Sequence, residues 1–509
     1  MWVTWREYPP ERLLREQFHI TTGFHAGQYD VIQRLVRGER LLVIQHTGWG
    51  KSLCYQMTSL YYPHLTIVFS PLKALMRDQC RRCSEAYAIP SAIVSSDYSE
   101  QENRTVLEMA VAGKLKLLYI APERLSNALW QAYAPRIQIS MIVIDEAHCI
   151  SLWGHDFRPH YRRIVRLLSA LPAHTPILAL TATANRRVEA DILQQMGHGV
   201  RVLRGTMMRP NLRLNVVQTG GDMEKLSFLV ALLPQYAGSG IIYTATRKYA
   251  ELVTAFLQRQ GIAAVHYHAG QDNAVRREIE QRWMTDQYRL VCSTNALGMG
   301  IDKQNVRFII HYHIPASPTH YYQEIGRAGR DGNVALCVLL SDPADLLIQE
   351  HFINDGKPGE ECYELVLAML RKNPQGLQGK DLVRLTGLSS TAIRAILLDL
   401  EDQFFIQRSG NGDYVYVATG RAGQANFAGY NRIRFQKLGE LSDMQAYTQQ
   451  SGCYMRYLTT YLGDPPGRRC GVCGHCQPAY FPEVPISERI REAAAQFLAR
   501  GDVRVTHYT

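Results

Sequence analysis

The sequence contains no apolar run that approaches the ~20 residues of a membrane-spanning helix. Its start, MWVTWREYPPERLLREQF, lacks the apolar core that marks a secretory signal peptide. Low-complexity tracts and short-period repeats are also missing, so repeat architectures are not indicated. These absences predict a globular cytoplasmic protein without a membrane partner.

A disulfide framework is not expected in a cytoplasmic protein, although the sequence holds 11 cysteines. Seven of them are scattered, and we interpret them as small buried hydrophobic residues: Cys54, Cys80, Cys83, Cys149, Cys292, Cys337 and Cys362. The remaining four lie together near the end of the chain and are considered below.

The length and the charge of the chain indicate its number of domains and its type of partner. At 509 residues the chain exceeds the roughly 250–300 residues at which single cores stop growing, so several domains are predicted. A hydrophobic content of 46% provides ample material for their cores. The net charge of +10 suits a polyanionic partner, although many basic proteins have only a solvated charged face.

Two sets of short apolar runs alternate with helical patterns up to residue 340. The first set is RLLVIQ, LTIVFS, LKLLYIA, ISMIVID and PILALTATA, and the second is SGIIYTAT, IAAVHYH, YRLVCST, VRFIIHY and VALCVLL. Buried parallel strands separated by helices have this pattern. The sequence therefore predicts two α/β domains with doubly wound parallel sheets, joined near LRGTMMRPNLR.

A different pattern occupies residues 360 to 418. It predicts a helix, two further helices around a Gly turn, and two alternating strands joined at Ser409–Asp413, which is typical of a winged helix. The second helix of the turn offers Arg394 alone as a basic residue. We therefore favour packing or contact with a partner protein over DNA binding for this module.

The stretch VIQHTGWGKSLCYQ follows a predicted strand and begins a helix, which favours a phosphate-binding loop. The loop residues are Thr47, Gly48, Trp49, Gly50, Lys51 and Ser52. Lys51 is expected to reach the outer phosphates of a nucleotide and Ser52 to bind Mg²⁺. Gln45 occupies the first Gly position of the usual spacing, so a chance glycine turn is the alternative.

A strand that ends in two acidic residues argues against chance. Asp145 and Glu146 follow ISMIVI in the same predicted domain, and His148 completes the sequence DEAH. In P-loop enzymes the strand-end Asp holds Mg²⁺, and an adjacent carboxylate orients or deprotonates water. We predict that Lys51, Asp145, Glu146 and His148 are catalytic.

Seven stretches resemble the helicase motifs of the RecQ family, in the family's order, between about residues 20 and 345. They are TGWGKSLCYQ, SPLKALMRDQ, IAPERL, IDEAHCISLWGHDFRPHY, LALTATA, NALGMGIDKQNVRFIIHYHIP and YYQEIGRAGRDG. The resemblance implies two RecA-like domains and an ATP-dependent helicase that unwinds DNA in the 3′→5′ direction. It also implies single-stranded and tailed or forked duplex DNA as partners, and association with the nucleoid if the source is bacterial.

The resemblance carries residue roles in the second domain. It implies that Arg327 and Arg330 act as arginine fingers on the transferring phosphoryl group, with Gln323 beside them. Gly300 and Asp302 correspond to positions that contact nucleotide and DNA at the cleft.

The segment ITTGFHAGQ resembles the adenine-reading segment of the family, and Gln28 corresponds to its glutamine. The family usually has an aromatic residue and an Arg where Thr21 and His25 stand. Weaker stacking on the base, and hence a less strict preference for adenine, is the expected consequence.

The stretch after DEAH is the most specific part of the resemblance. Trp153, His155, Asp156, Phe157 and Arg158 correspond to the aromatic-rich loop that couples DNA binding to ATP hydrolysis. Gly and Pro interrupt SLWGHDFRP, and a loop is a poor place to bury two aromatic side chains. Aromatic faces stack on unpaired bases, whereas the alternative is that both rings are core residues.

The last four cysteines are Cys453, Cys470, Cys473 and Cys476, with the spacing C-x16-C-x2-C-x2-C. Four thiolates at such spacing suit tetrahedral Zn²⁺, and an iron–sulfur cluster is the competing interpretation. The stretches CYMRYLTTYLGD and CGVCGHC resemble the zinc-binding subdomain of the RecQ family, which favours zinc.

The predicted domain limits are 1–205 and 206–356 for the RecA-like domains, 357–420 for the winged-helix-like module, 421–480 for the zinc subdomain and 481–509 for a C-terminal tail. In the family the zinc module precedes the winged helix, so this order is reversed. Only 33 residues follow Cys476, and the ending GDVRVTHYT is typical of a truncated chain. Weak unwinding by a DNA translocase, a non-enzymatic DNA scaffold, and RNA as substrate are the alternatives.

Overall fold

The structure, a computed structural model, describes residues 3–151, 161–169, 171–172, 174–298, 303–356, 358–402, 405–409, 413–417, 428–481 and 483–500. Two α/β domains occupy the part before residue 357, and each is built on a wholly parallel sheet. The predicted pair of doubly wound parallel-sheet domains is confirmed.

The first domain holds a seven-stranded sheet in the order β3-β4-β2-β5-β6-β1-β7. Its strands are β1 (Arg40–Ile44), β2 (Leu65–Phe69), β3 (Ser91–Val94), β4 (Leu117–Ile120), β5 (Ile139–Ile144), β6 (Ile177–Thr181) and β7 (Val200–Arg204). Its helices are α1 (Pro10–Glu16), α2 (Gln28–Val36), α3 (Lys51–Leu60), α4 (Lys73–Arg81), α5 (Glu100–Val111), α6 (Ala128–Tyr133), α7 (Tyr161–Ser169) and α8 (Arg186–Met196). Successive residues of β1 enter different hydrophobic clusters, Leu42 on one face and Leu41 on the other, which explains the unbroken apolar run.

The second domain holds a six-stranded sheet in the order β10-β11-β9-β12-β13-β8. Its strands are β8 (Leu212–Gln218), β9 (Ser239–Tyr243), β10 (Val265–Tyr267), β11 (Leu290–Ser293), β12 (Val306–His311) and β13 (Ala335–Ser341). Its helices are α9 (Asp222–Leu232), α10 (Arg247–Arg259), α11 (Asn273–Met284), α12 (Pro318–Ile325) and α13 (Asp345–Gly356). Within the described residues, no helix is long and apolar enough to cross a membrane.

The order of the strands in the first sheet determines where the candidate site lies. Strands β5, β6 and β1 are neighbours, with Ile44 opposite Thr181 and Ile144 opposite Ala179. Because all three run in the same direction, their carboxyl ends lie at one edge of the sheet. The loop after β1, the acidic residues after β5 and the Thr residues after β6 are therefore brought together.

The rest of the chain forms helices α14 (Glu360–Lys372), α15 (Gly379–Thr386), α16 (Ser390–Asp402), α17 (Ala428–Gln449), α18 (Tyr454–Tyr461) and α19 (Glu488–Arg500), with short antiparallel strands β14 (Ile406–Arg408) and β15 (Tyr414–Tyr416). Helix α19 packs on the second domain, where Phe497 lies 5.1 Å from Phe256 between ring centroids. The predicted C-terminal tail thus contains an ordered helix.

The segment around α18 also contacts the connection between the two α/β domains. Arg204 Nη1 donates to the Leu462 carbonyl over 2.8 Å. The Asp464 carboxylate accepts a 2.7 Å hydrogen bond from the Met207 amide. The late segment of the chain is therefore hydrogen-bonded to the interdomain connection.

Candidate active site

The loop between β1 and α3 wraps around the amino end of α3. Gly48 and Gly50 have left-handed φ angles of 89° and 86°. A Cβ on Gly50 would lie 2.6 Å from Gln28 Nε2, so no larger residue fits there. Lys51 Nζ donates to the carbonyls of Gln45 and His46 over 2.9 and 3.2 Å. The ammonium group and the free amides at the helix start together favour a bound anion.

Gln28 and Trp49 tie the loop to the segment before α2. Buried Gln28 accepts a 2.8 Å hydrogen bond from the His25 amide and donates over 2.8 Å to the Trp49 carbonyl. The indole of Trp49 is itself buried, and its Nε1 donates to the Ala26 carbonyl over 3.0 Å. Trp49 therefore anchors the loop through its side chain and does not line the nucleotide cavity.

The acidic pair follows β5 directly. Glu146 has a left-handed φ of 49°, which is unusual for a residue with a Cβ and typical of functional turns. Its amide donates to Asp145 Oδ1 over 3.0 Å, and both residues line the same cavity. Burial raises the pKa of Asp145 to about 7, and the Glu146 carboxylate adds to this shift.

Fully buried His148 lies behind Glu146. Its Nδ1 is 3.3 Å from Glu146 Oε2 and 3.0 Å from Thr181 Oγ1. Burial opposes ionisation of Glu146, but His148 outweighs it and holds the pKa of that carboxyl below its usual value. Burial also opposes protonation of His148, yet Cys149 and Glu146 raise its pKa to about 10. The contact between the two side chains therefore favours an ionised Glu146 carboxylate.

The second domain faces this edge with α12 and the turn that follows it. Gln323 Nε2 donates to Thr183 Oγ1 over 2.9 Å and so bridges the two domains directly. Arg330 lies against the phosphate loop, because a Cβ on Gly48 would be 3.7 Å from Arg330 Cγ. Arg327 lies near enough to Glu146 to contribute to the lowered pKa of that carboxyl.

These groups converge on one cavity of about 330 Å³ between the domains. The predicted residues that line it are Gln28, Thr47, Gly48, Gly50, Lys51, Ser52, Asp145, Glu146, Gln323, Arg327 and Arg330. His25 lines it as well, at the position where the family usually has an Arg.

Some predicted site residues lie outside the described residues, so the structure gives no account of them. They are Gly300, Asp302, Trp153, His155, Asp156, Phe157 and Arg158. The first residue described after the coupling loop, Tyr161, donates its hydroxyl to the Asp145 carbonyl over 3.0 Å.

Two parts of the site escaped prediction from sequence. Thr181 and Thr183 contact His148 and Gln323, and the motif LALTATA, which contains them, predicts no role for either residue by itself. Arg209 contacts both domains, and its sequence signal is the RPN at the domain border.

Two family models match the chain, one in each of the two α/β domains. A family model described as DEAD/DEAH box helicase matches residues 25–192, and one described as helicase conserved C-terminal domain matches residues 224–332. The probable ATP-dependent DNA helicase RecS of Bacillus subtilis (strain 168) is 32% identical over 468 residues, which cover 90% of this chain and 90% of RecS. The ATP-dependent DNA helicase RecQ of Pasteurella multocida (strain Pm70) is 40% identical over 347 residues, which cover 67% of this chain and 54% of that protein. This chain belongs to the RecQ family of ATP-dependent DNA helicases.

Solved helicase structures share the fold of the RecQ-family chain. Saccharomyces cerevisiae Dbp5 bound to RNA and ADP BeF3 superposes with a TM-score of 0.55 at 20% identity, over 68% of this chain and 92% of Dbp5. Mycobacterium smegmatis Lhr bound to single-stranded DNA and AMP-PNP has the same score and identity, over 81% of this chain and 61% of Lhr. The two parallel-sheet domains are therefore RecA-like. The chain spans about half the length of the RecQ protein from Pasteurella multocida, at 54%.

A second cleft of the RecQ-family chain, about 1200 Å³ in volume, lies between α4 of the first domain and α11 of the second. Six of the 16 residues that line it are basic and three are acidic: Lys73, Arg77, Arg81, Arg82, Arg276 and Arg277 against Asp78, Asp97 and Glu280. Asp97 pairs with Lys73 over 2.9 Å and also with Arg77. Arg82 lines both this basic cleft and the nucleotide cavity.

The four late cysteines of the RecQ-family chain converge. Their sulfur atoms all lie within 4.8 Å of one another, with 3.9 Å between Cys473 and Cys453 and 4.0 Å between Cys470 and Cys476. A tetrahedral ion bound at ~2.3 Å would separate its sulfur ligands by roughly 3.8 Å, so the spacing fits. The Cys470 amide donates to Cys453 Sγ over 3.2 Å, as expected beside a thiolate.

Proposed function

We propose that this chain couples ATP hydrolysis in the nucleotide cavity to 3′→5′ translocation on single-stranded DNA and to duplex unwinding. One observation carries the proposal. Lys51 and the acidic pair of the first domain share one cavity with Gln323, Arg327 and Arg330 of the second. Because the site is divided between the domains, its geometry depends on their relative position. A translocase requires such a link between nucleotide hydrolysis and domain motion.

In the proposed cycle the phosphate loop and Lys51 hold the outer phosphates, and Gln28 reads the base. Ser52 and Asp145 would hold Mg²⁺, which supplies positive charge to the phosphates. Two half-buried carboxylates in a cavity that also holds one ammonium group fit a divalent cation. Glu146, kept ionised by His148, orients or deprotonates the attacking water, and Arg327 and Arg330 stabilise the developing charge.

We propose that the basic cleft takes the DNA backbone. Six cationic side chains there suit a chain of phosphates, and the cleft is wide and open to solvent rather than closed around one small ligand. Arg82 lines both cavities, so it offers one route by which bound DNA influences the nucleotide site.

The coupling loop provides the second proposed route. Trp153 and Phe157 are proposed to stack on unpaired bases, while His155, Asp156 and Arg158 transmit the arrival of the strand. The loop leaves Ser151, whose hydroxyl donates to Asp191, and returns at Tyr161, which bonds the Asp145 carbonyl. Both attachments lie close to the acidic strand end, which supports a coupling role.

We propose that Cys453, Cys470, Cys473 and Cys476 bind one structural Zn²⁺, which contributes folding free energy. Elemental analysis of freshly purified protein should give one zinc per chain. Cys473→Ser should yield poorly soluble or misfolded protein, whereas Cys362→Ser, which changes a cysteine outside the cluster, should fold normally. Iron at that stoichiometry, or no metal, would refute the assignment.

Residues 357–420 are proposed as a winged-helix-like module that contacts a partner protein. Helices α14 to α16 and strands β14 and β15 have the required order, and a bridge between Leu377 and Tyr414 adds a third extended segment. The remaining proposed limits are 1–205, 206–356, 421–480 and 481–509.

A DNA translocase with weak unwinding is the second candidate, because β14 and β15 each contain three residues and form a short hairpin. A strand-displacement assay with 3′-tailed and 5′-tailed duplexes of DNA and RNA separates the candidates. Unwinding of 3′-tailed DNA alone is expected. ATP hydrolysis stimulated by single-stranded DNA without displacement would favour the translocase, and activity on 5′-tailed DNA would contradict the proposed direction.

A further inference from the structure

Arg209 lies in the segment that connects the two RecA-like domains, and it is 5% exposed. Its guanidinium donates to four main-chain carbonyl oxygens. Nη1 bonds those of Thr47 and Gly326 over 3.1 and 3.4 Å. Nη2 bonds those of Ala328 and Gly329 over 2.9 and 3.1 Å. A buried charge is tolerated only when its donors are satisfied, so these bonds hold the side chain in one orientation.

The four carbonyls belong to the two halves of the nucleotide site. Thr47 is part of the phosphate loop, and the other three carbonyls belong to the turn that carries Arg327 and Arg330. The planar guanidinium presents its donors in a fixed fork, so one side chain sets the distance between loop and turn. Arg209 makes both groups of bonds only when the domains approach as closely as they do here.

The turn itself is tightly built from the same segment. Asn211 Nδ2 donates to the Gly329 carbonyl over 2.8 Å and to the Asn333 carbonyl over 2.9 Å. Gly329 has a φ of 55°, and a Cβ on it would lie 2.5 Å from Asn211 Nδ2. Arg209 and Asn211 of the connecting segment therefore both bond the finger turn, the turn that carries the two proposed arginine fingers. Of these two side chains, Arg209 alone also bonds the phosphate loop.

We propose that Arg209 is a positioning residue for the arginine fingers. It fixes the turn of Arg327 and Arg330 against the phosphate loop, so that the finger guanidinium groups reach the phosphoryl group when the cleft closes. Arg209 is not among the residues that line the nucleotide cavity, so it acts through the turn that carries the fingers. The inference rests on the proposed hydrolysis of ATP in this cavity.

Steady-state ATPase kinetics with saturating single-stranded DNA test the inference. Arg209→Gln should lower kcat on the order of 10- to 100-fold, the size of effect expected from a misplaced catalytic group. The KM for ATP should stay close to the wild-type value, because the phosphate loop and Lys51 still bind the nucleotide. Arg209→Lys should recover little of the rate, since one ammonium group lacks the fork that spans loop and turn.

A double-mutant cycle distinguishes positioning from direct catalysis. If Arg209 acts through the fingers, the kcat losses of Arg209→Gln and Arg330→Ala should combine to clearly less than their product. Multiplicative losses in the double variant would mean that Arg209 acts independently, and the inference would be wrong. If the Gln variant does not fold, as judged by thermal unfolding, the cycle is run with Arg209→Lys.

Arg213→Gln serves as the matched control. Arg213 lies four residues after Arg209, in strand β8, and its guanidinium stacks on Tyr480 at 3.9 Å from the ring centroid. This variant should keep the wild-type kcat. If Arg330→Ala keeps full activity, the proposed nucleotide site is wrong. If Arg330→Ala is inactive while Arg209→Gln is unaffected, only the role of Arg209 is refuted.

Discussion

The nucleotide cavity and the basic cleft are both bordered by the two RecA-like domains, yet they hold charge in opposite ways. In the nucleotide cavity Lys51, Asp145 and Glu146 are half-buried close to one another, and their pKa values are shifted. In the basic cleft the side chains remain partly in solvent, as shown by Lys73 and Arg77 at 35% and 41% exposure. Buried charges are few and individually important, whereas exposed charges act as a group.

The contrast matches the two proposed ligands. A small ligand that must react needs groups held at fixed positions in a poorly solvated site. A long polyanion that must slide needs many weak contacts that can be remade. Single substitutions should therefore have large effects in the first region and small, salt-dependent effects in the second.

The largest effects are expected in the nucleotide cavity. Arg330→Ala should lower the ATPase kcat by roughly 10³–10⁵-fold, as loss of an arginine finger does in related phosphoryl-transfer enzymes. Lys51→Ala should abolish hydrolysis by removing charge from the outer phosphates, and Glu146→Gln should bind ATP but turn over poorly. Coupled ATPase assays and nucleotide-binding titrations measure these effects. Wild-type turnover in any of the three variants would contradict the assignment.

An intermediate effect is expected in the loop proposed to connect the regions. In Phe157→Ala and Trp153→Ala, the ratio of DNA-stimulated to DNA-free ATPase rates should fall toward one, and unwinding should be lost with it. Affinity for single-stranded DNA should persist, because it depends mainly on phosphate contacts. Circular dichroism provides the control: unfolded variants would mean that the rings are core residues, and full stimulation would exclude coupling.

The smallest effect is expected in the basic cleft. Arg277→Gln should weaken binding of single-stranded DNA modestly and uniformly across sequences. It should also reduce the slope of log affinity against log salt by about 1. Fluorescence anisotropy over a salt series measures both quantities.

Asp97→Asn is the matched control, and its effect on DNA affinity should have the opposite sign. The substitution removes the anion that pairs with Lys73 and Arg77. Its DNA affinity should rise slightly. If Arg277→Gln instead abolished binding, the cleft would resemble the nucleotide cavity, and the comparison between the two regions would fail.

Strand prediction succeeded for every interior strand of the two sheets and for one edge strand, β10. The ten apolar runs correspond to strands β1, β2, β4, β5, β6 and β9 to β13. The missed strands β3, β7 and β8 are all at sheet edges, and β7 has no fully buried residue. An edge strand is half solvated, so its sequence, such as VRVLR in β7, lacks the continuous apolar signal.

The sequence by itself determined the two parallel-sheet domains, the phosphate loop, the acidic strand end and the membership in the RecQ family. Each of these is encoded in contiguous residues whose spacing has a direct physical meaning. Only the tertiary structure decided which distant residues share a site. The indole of Trp49 turned away from the nucleotide cavity, and Arg209 joined the phosphate loop to the finger turn. Such contacts depend on how two folded domains approach each other, and no local pattern of residues records that distance.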